Sequence, residues 1–538
     1  MTTDAERGHA TAAVPSTRLG RVVRWIDQRV GAATFTRSTL DYVFPKHFSF
    51  LFGEIALYAF VVLIATGVFL ALFYSPSEAE VVYDGQYVPL HGLPMTEAYE
   101  SVVNLSLSVR GGLLFRQTHH WAAIVFLGAV FLHLCRVFFT GAFRRPRELN
   151  WITGLTLMVV GIAEGFVGYT LLDDLLSGTG ARIAHAMAES IPVVGQWVAS
   201  LVWGGEYPGH GFLSRLFTVH IFLLPAVIAT LIAVHLFLVA RPHHTQFPGP
   251  GRHQRNVVGL RLWPSYATLS LGFFFLITAV LVFMGGFLQI NPVWLYGPYD
   301  VFEVSSGSQA DWYFLWLQGA LRLMPGVSLH LGPYTVANQF FPGVLYPGLV
   351  FTILYAWPFL EARITGDRSE HHLLDRPRDR PVRTALGAAA ISGFVVLLLA
   401  GSDDVFATEF NWSIVTVRNV ERVLFLVLPP LVGLLVWKIA RDLSRAAPLS
   451  AEPAPVERTP APAATPSPAA TPSPTGAASP AATPSPAGAA TSPPHNPPPP
   501  VAEASSARGA VRVLALVGGA AAIAVGTLVR RGRRAPGR

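Results

Sequence analysis

Residues 116–136, RQTHHWAAIVFLGAVFLHLCR, and residues 215–235, RLFTVHIFLLPAVIATLIAVH, decide the fold of this chain. Each belongs to an apolar run long enough to cross a bilayer. Each also holds a pair of histidines, His119 with His133 and His220 with His235, 14 and 15 residues apart. At about 100° per residue, fourteen or fifteen steps return a helix to within roughly 40° to 60° of its starting direction after a rise of about 21 Å. Each helix therefore shows both imidazoles on one face, one in each leaflet. A single intramembrane histidine is explained equally well as a packing or proton-relay residue, but four at matching depths on two helices are not. The spacing predicts two bis-histidine haem sites stacked across the membrane.

Composition agrees. The chain has 538 residues, 51% of them hydrophobic and 13% charged, with a mean hydropathy of +0.44. That is about half the charge density of a soluble domain, and a water-soluble enzyme is excluded. The single cysteine, Cys135, excludes an intramolecular disulfide, a Cys-based zinc site, an iron–sulfur cluster and a covalent CxxCH haem. A redox metal must therefore rest on histidine. The net charge of +7 sits in short arginine clusters between apolar runs, which is the pattern of membrane topology rather than of nucleic-acid binding.

Working outward from the two histidine segments, eight stretches are predicted to span, near 50–74, 119–141, 151–172, 216–240, 266–290, 340–361, 383–401 and 420–440. The expected fold is an all-α polytopic membrane bundle. Arg144, Arg145 and Arg147, then Arg241, Arg252, Arg255 and Arg261, then Arg363 to Arg383 fill the even-numbered connections. The positive-inside rule then places the N-terminus in the cytoplasm of a cell-membrane protein. In that topology His119 pairs with His220 at the outer end and His133 with His235 at the inner end. The long outer connections, 75–115, 173–215 and 291–339, are where a site or a partner surface is expected.

Residues 1–45 read as a cytoplasmic segment with an interfacial helix at 16–35, 46–262 as a four-helix haem-binding bundle, and 263–445 as four further helices with a long outer loop. Residues 446–510, rich in Pro, Ala, Ser and Thr, read as a disordered linker. Residues 511–538 offer a possible ninth helix and a basic tail, although RRGRR at 530–534 conflicts with the charge rule.

Glycines repeat the histidine spacing. Gly53 and Gly67 in the first span, and Gly154 and Gly168 in the third, are each 14 apart, and a missing side chain lets a flat macrocycle lie close to the backbone. Glycine also serves ordinary helix packing in membranes. Arg116 and Arg215 precede the outer histidines and Arg136 follows His133, at the edges where propionates need cations. Glu164 is an intramembrane acid suited to a relay or a structural hydrogen bond.

These residues, in order, together with G168-Y169, S177-G-T-G180 and I191-P-V-V-G195, resemble cytochrome b of the quinol:cytochrome c reductase (bc) complex over residues 45–440. FTGAFRRPRE (139–148), HTQFPGPGR (244–252) and LQINPVW (288–294) are similar to the actinobacterial branch, which oxidises menaquinol. The resemblance implies an eight-helix cytochrome b fold, a low-potential haem on His119 and His220, and a high-potential haem on His133 and His235. It implies quinol oxidation at an outer site, with one electron passing to a Rieske iron–sulfur subunit and one through the haems to quinone at an inner site. The family's outer signature is Pro-Glu-Trp-Tyr, and this chain has Ala310-Asp311-Trp312-Tyr313. Asp311 takes the proton-accepting position, with Trp312, Tyr313, Tyr169 and Gly180 around the quinol. Where the family carries Leu-Pro-Trp-Gly, this chain has Leu171-Leu172-Asp173-Asp174. Lys46, His47, Glu54, His243 and His244 lie at the depth of the inner site. The implied partners are the Rieske protein, a c-type cytochrome subunit, a second copy of the complex, membrane lipid and a terminal cytochrome c oxidase. A polytopic transporter with proton-carrying histidines and a dehydrogenase-type two-haem cytochrome b are the alternatives. The first would bind no haem, and the second lacks the Asp311-Trp312-Tyr313 loop.

Overall fold

The computed structural model describes residues 18–30, 39–205, 207–303 and 308–446. The linker and the apolar segment expected beyond residue 446 lie outside the described residues. Among the described residues eight helices are long and apolar enough to cross a membrane: Phe48–Ala71, Gly112–Thr140, Glu148–Thr170, Phe212–Ala240, Leu262–Phe287, Phe341–Thr365, Pro381–Ala400 and Ile414–Ala446. All eight expected spans are present, several of them longer than their apolar cores. The second begins at Gly112 because Arg116 and Gln117 are helical yet polar. The Gln117 amide donates to the Ile290 carbonyl at 2.6 Å and accepts from the Ile290 N–H at 2.8 Å, so a polar turn is satisfied inside the protein. Before the first span, Arg18–Val30 forms a helix within the expected interfacial segment, with Trp25 and Ile26 exposed.

The first and second spanning helices pack along their length, the fourth lies on the third, and the fifth covers the first two. Ala56, Ala59, Ala122 and Ala129 let the backbones approach, with Val62, Phe126, Leu127 and Leu281 filling between them. Tyr313 enters this core from the long outer loop. The seventh and eighth helices pair, and the helix Trp312–Leu323 packs on the seventh. Apolar side chains on the outer faces, such as Val61, Val68, Phe237, Phe275, Leu426 and Leu434, are exposed. Lipid is the solvent that makes such faces stable.

At the end of the bundle that carries His119 and His220, expected from the charge order to be the outer one, the connections fold into short helices. Thr96 caps Glu97–Leu107, and Asp174 with Ser177 makes a capping box on Leu175–Glu189. The Trp312–Leu323 helix starts at Asp311, whose carbonyl accepts from the N–H groups of Phe314 and Leu315. At the inner end, Val43–Pro45 pairs antiparallel with Gly259–Arg261. Arg147 gathers the inner loops there, donating to the carbonyls of Pro242, His243 and His371.

Candidate functional site

The helix periodicity places the four histidines as two facing pairs. The rings of His119 and His220 have centroids 6.3 Å apart at 75° to one another, and those of His133 and His235 are 6.3 Å apart at 72°. This gap takes one metal ion at about 2 Å from a nitrogen on each side. Among the described residues no three His, Cys, Asp or Glu side chains converge on a metal position. Each pair therefore supplies two ligands, and a metal there would draw the rest from a group such as a macrocycle.

The glycines sit one to one against these rings. A Cβ on Gly53 would lie 3.4 Å from His133, on Gly67 3.3 Å from His119, on Gly154 3.3 Å from His235, and on Gly168 2.5 Å from His220. What each glycine admits directly is thus the imidazole of the helix opposite, where the sequence pointed to the plane of a macrocycle. The rings are also oriented. The Thr66 hydroxyl lies 2.9 Å from His119 Nδ1, and Glu164 Oε1 lies 3.0 Å from His220 Nδ1, off hydrogen-bond alignment. Val219–Leu223, which holds His220, is a π-helical turn ahead of Pro225, which has no N–H to give the Ile221 carbonyl.

Arg116 and Arg136 supply the charge. Both are helix-end arginines with buried Nε and NH2 atoms that find no protein partner. Arg116 uses only one nitrogen, on the Asn291 carbonyl at 3.1 Å, and Arg136 lies over the Phe50 ring at 4.1 Å. Buried guanidinium hydrogens without acceptors fit an anionic group such as a propionate. The residues present therefore fit haem. Arg215 differs, because it is exposed and turned to the His210 carbonyl at 3.2 Å.

The outer loop brings the remaining residues together. The Asp311 carboxylate accepts from His120 Nε2 at 2.9 and 3.0 Å and from the Tyr313 hydroxyl at 2.9 Å. Burial pushes its pKa up, but His120 and Tyr313 outweigh that and hold it below the ordinary carboxylate value. Trp312 stands edge-on to Phe131, and Tyr169 lies between Phe314 and Gly180, its hydroxyl buried without a partner. His120 is the residue that sequence reasoning missed. Its only signal is the doublet His119-His120, whose second member points off the haem face.

The five inner candidates separate. His47 and His244 flank the Phe50 ring under Arg136, and His244 Nδ1 bonds the Tyr42 hydroxyl at 3.0 Å. Burial, then Arg136 and other cations, lowers both imidazoles, His244 to about 4. His243 has φ 59° and stacks on Tyr42. Glu54 is held elsewhere, by the hydroxyls of Tyr58 at 3.0 Å and Tyr266 at 2.7 Å, and Lys46 is exposed.

Comparison with known proteins is consistent across sequence and fold. Residues 124–298 match the family described as cytochrome b(N-terminal)/b6/petB. The cytochrome bc1 complex cytochrome b subunit of Streptomyces coelicolor is 46% identical over 426 residues, 79% of this chain and 78% of that one. Its counterpart in Mycobacterium tuberculosis is 48% identical over 428 residues, with the same coverage. Corynebacterium diphtheriae has one that is 46% identical over 430 residues, 80% of this chain and 79% of its own. A solved chain of a hyperthermophilic respiratory Complex III shares the fold with a TM-score of 0.57 at 21% identity, covering 77% of this chain and all of that one.

Proposed function

The chain belongs to the family of cytochrome b subunits of the actinobacterial cytochrome bc1 complex, and from that premise we propose that it oxidises menaquinol at its outer end and reduces quinone at its inner end. The haems, when bound, would carry one quinol electron from the outer site to the inner one, while a Rieske partner takes the other. His119 and His220 hold the outer group, His133 and His235 the inner one, and Arg116 and Arg136 neutralise the acidic edges.

At the outer end Asp311 is the proton acceptor. Its pairing with His120 keeps it ionised, and Tyr313 orients it, so the carboxylate is ready to take a hydroxyl proton as quinol electrons leave. Trp312, Tyr169 and the open edge at Gly180 shape the groove for the ring. At the inner end His47 and His244, both neutral near physiological pH, present ring nitrogens to a quinone carbonyl beside Arg136. Proton release on one side and uptake on the other are the chain's contribution to charge separation, worth about 2.3 kcal/mol per charge per 100 mV. A Rieske protein and a c-type cytochrome complete the assembly, within a dimer that also engages a terminal oxidase.

The observation that carries this reading is the buried Asp311, His120 and Tyr313 cluster beside the outer histidine pair. Asp311→Asn in the purified complex tests it. Menaquinol oxidation is expected to fall by about 10²- to 10⁴-fold with both haem bands intact. Unchanged turnover would remove Asp311 from the role.

A further inference from the structure

A second set of buried acids adjoins the outer site. Asp173 and Asp174 follow the third spanning helix and are 6% and 0% exposed. Asp174 Oδ1 accepts the Ser177 N–H at 2.7 Å, but its Oδ2 is buried without a partner. Tyr169, within electrostatic reach of Asp174, shares that condition through its hydroxyl, and Arg116, whose Nε and NH2 are taken by the anionic group assigned above, lies within the same reach. Buried polar atoms rarely stay unpaired, and a cluster of them is where ordered water belongs.

This cluster connects to the proton acceptor. Tyr169 packs against Phe314, three residues past Asp311, with ring centroids 6.2 Å apart, and Asp174 bridges to Pro298, two residues past Tyr296, whose hydroxyl lies 3.1 Å from Ser308 Oγ, three residues before Asp311; both tyrosines also feel the charge of the two acids. On the far side, Asp173 Oδ2 accepts from the Thr96 hydroxyl at 2.6 Å and lies within reach of Glu78. Glu78 is partly exposed and receives the N–H groups of Gly211 and Leu213 at 2.6 and 2.9 Å. The titratable and charged groups that interact electrostatically with Asp174 are Asp173, Tyr99, Arg116, Tyr169 and Tyr296, with Arg116 the one cation among them.

We propose that Asp174 and Asp173 form an exit relay that takes the quinol proton from Asp311, across Tyr169 and Tyr296, to the outer surface near Glu78. The relay rests on the outer-site reading above. In each passage the Asp311 carboxylic acid loses its proton and returns to carboxylate, the Asp174 carboxylate takes that proton up, and it leaves through Asp173 to water. No electron moves and no co-reactant is needed. Asp311, held ionised by His120, releases a proton readily, so it needs an acceptor with higher affinity close by. Burial provides it, pushing Asp174 up to about 6 and Asp173 up to about 7. Helix capping explains Oδ1 of Asp174 and leaves Oδ2 unexplained, and asparagine would cap equally well.

Asp174→Asn in the whole complex separates relay from cap. The relay predicts both haem bands intact, menaquinol oxidation reduced about tenfold or more, and loss of the acid limb near pH 6 from the rate profile, with Asp174→Glu restoring the rate and an acid limb displaced from its wild-type position. A wild-type rate and profile with both haems bound would overturn it. If Asp174→Asn fails to assemble, Asp174→Glu decides alone, because a relay acid of changed pKa must shift the acid limb, and an unshifted limb rejects the relay. Asp311→Asn, run beside these variants, keeps the two claims apart. Loss of rate there with a normal Asp174→Asn rejects only the relay, whereas normal rates in both reject the outer-site reading itself.

Discussion

The tightest geometry in the molecule is between single residues. A Cβ on Gly168 would stand 2.5 Å from His220 Cε1, so Gly168→Ala must push the ring or the third helix away, a strain of about 1 to 3 kcal/mol. The outer haem band is expected to shift or vanish in a reduced-minus-oxidised spectrum, with the inner band kept; a wild-type spectrum would contradict the contact. His133→Leu or His235→Leu should do the reverse, halving haem per chain, and two full equivalents in either variant would break the pairing. Asp173 carries a cost of its own. Its carboxyl ionises at about 7 in the fold against 3.8 ordinarily, so the unfolded chain holds fewer protons between those values, and stability falls as pH rises from about 4 to about 7. The cost reaches about 4 kcal/mol above that window. Asp173→Asn should therefore raise the thermal midpoint of the detergent-solubilised complex at pH 8, and the gain should shrink at pH 5. The facing of the four histidines and the glycines against them was legible because one helical period governs both. The bond from His120 to Asp311 was not, since it joins residues 191 apart and no local pattern announces it.

Helices in this chain end by side-chain contacts more than by hydropathy. The apolar runs located all eight spans, yet the last helix extends over Ile414–Ala446, past its expected 420–440 at both ends. At its start Arg418 bonds Asp403 at 2.8 and 3.0 Å, and Asp403 also receives Arg322 from the helix behind the Asp311 loop. At the inner end Arg383, 3% exposed, holds Glu361 at 2.7 Å and Asp375 at 2.5 Å, tying the sixth and seventh helices and their connection together. Removing Arg383 strands Glu361, while Asp375 keeps Arg144 at 3.1 Å and Arg380 at 3.2 Å, so the loss falls at the low end of the about 3 to 5 kcal/mol of a broken buried pair. Arg383→Ala is accordingly expected to lower the thermal midpoint of the complex, while Arg383→Lys recovers only part because it cannot fork between two carboxylates. An unchanged midpoint in the alanine variant would show the cluster to be dispensable. Charge order in the sequence pointed to Arg383 as a topology signal, and its second use as a cross-link appears only when distant connections meet.

At the scale of the whole molecule, everything assigned to redox chemistry lies within residues 42–323, and the tail beyond residue 446 is expected to serve as a tether. Truncation after Arg445 should leave both haem bands and menaquinol oxidation in place and at most loosen association with partner subunits, as read by co-purification; loss of the haem spectrum would make the tail part of the machinery. The pairing of the rings also has a meaning in time. Each facing pair takes one ring from the second spanning helix and one from the fourth, so a nascent chain that has reached residue 205 owns half of each pair and completes neither. Synthesis of Phe212–Ala240 closes both within a single helix. Neither proposed haem site is complete before that helix is made, and both are complete before the outer loop with Asp311 is synthesised, so the scaffold for the electron path is available ahead of the chemistry that would feed it.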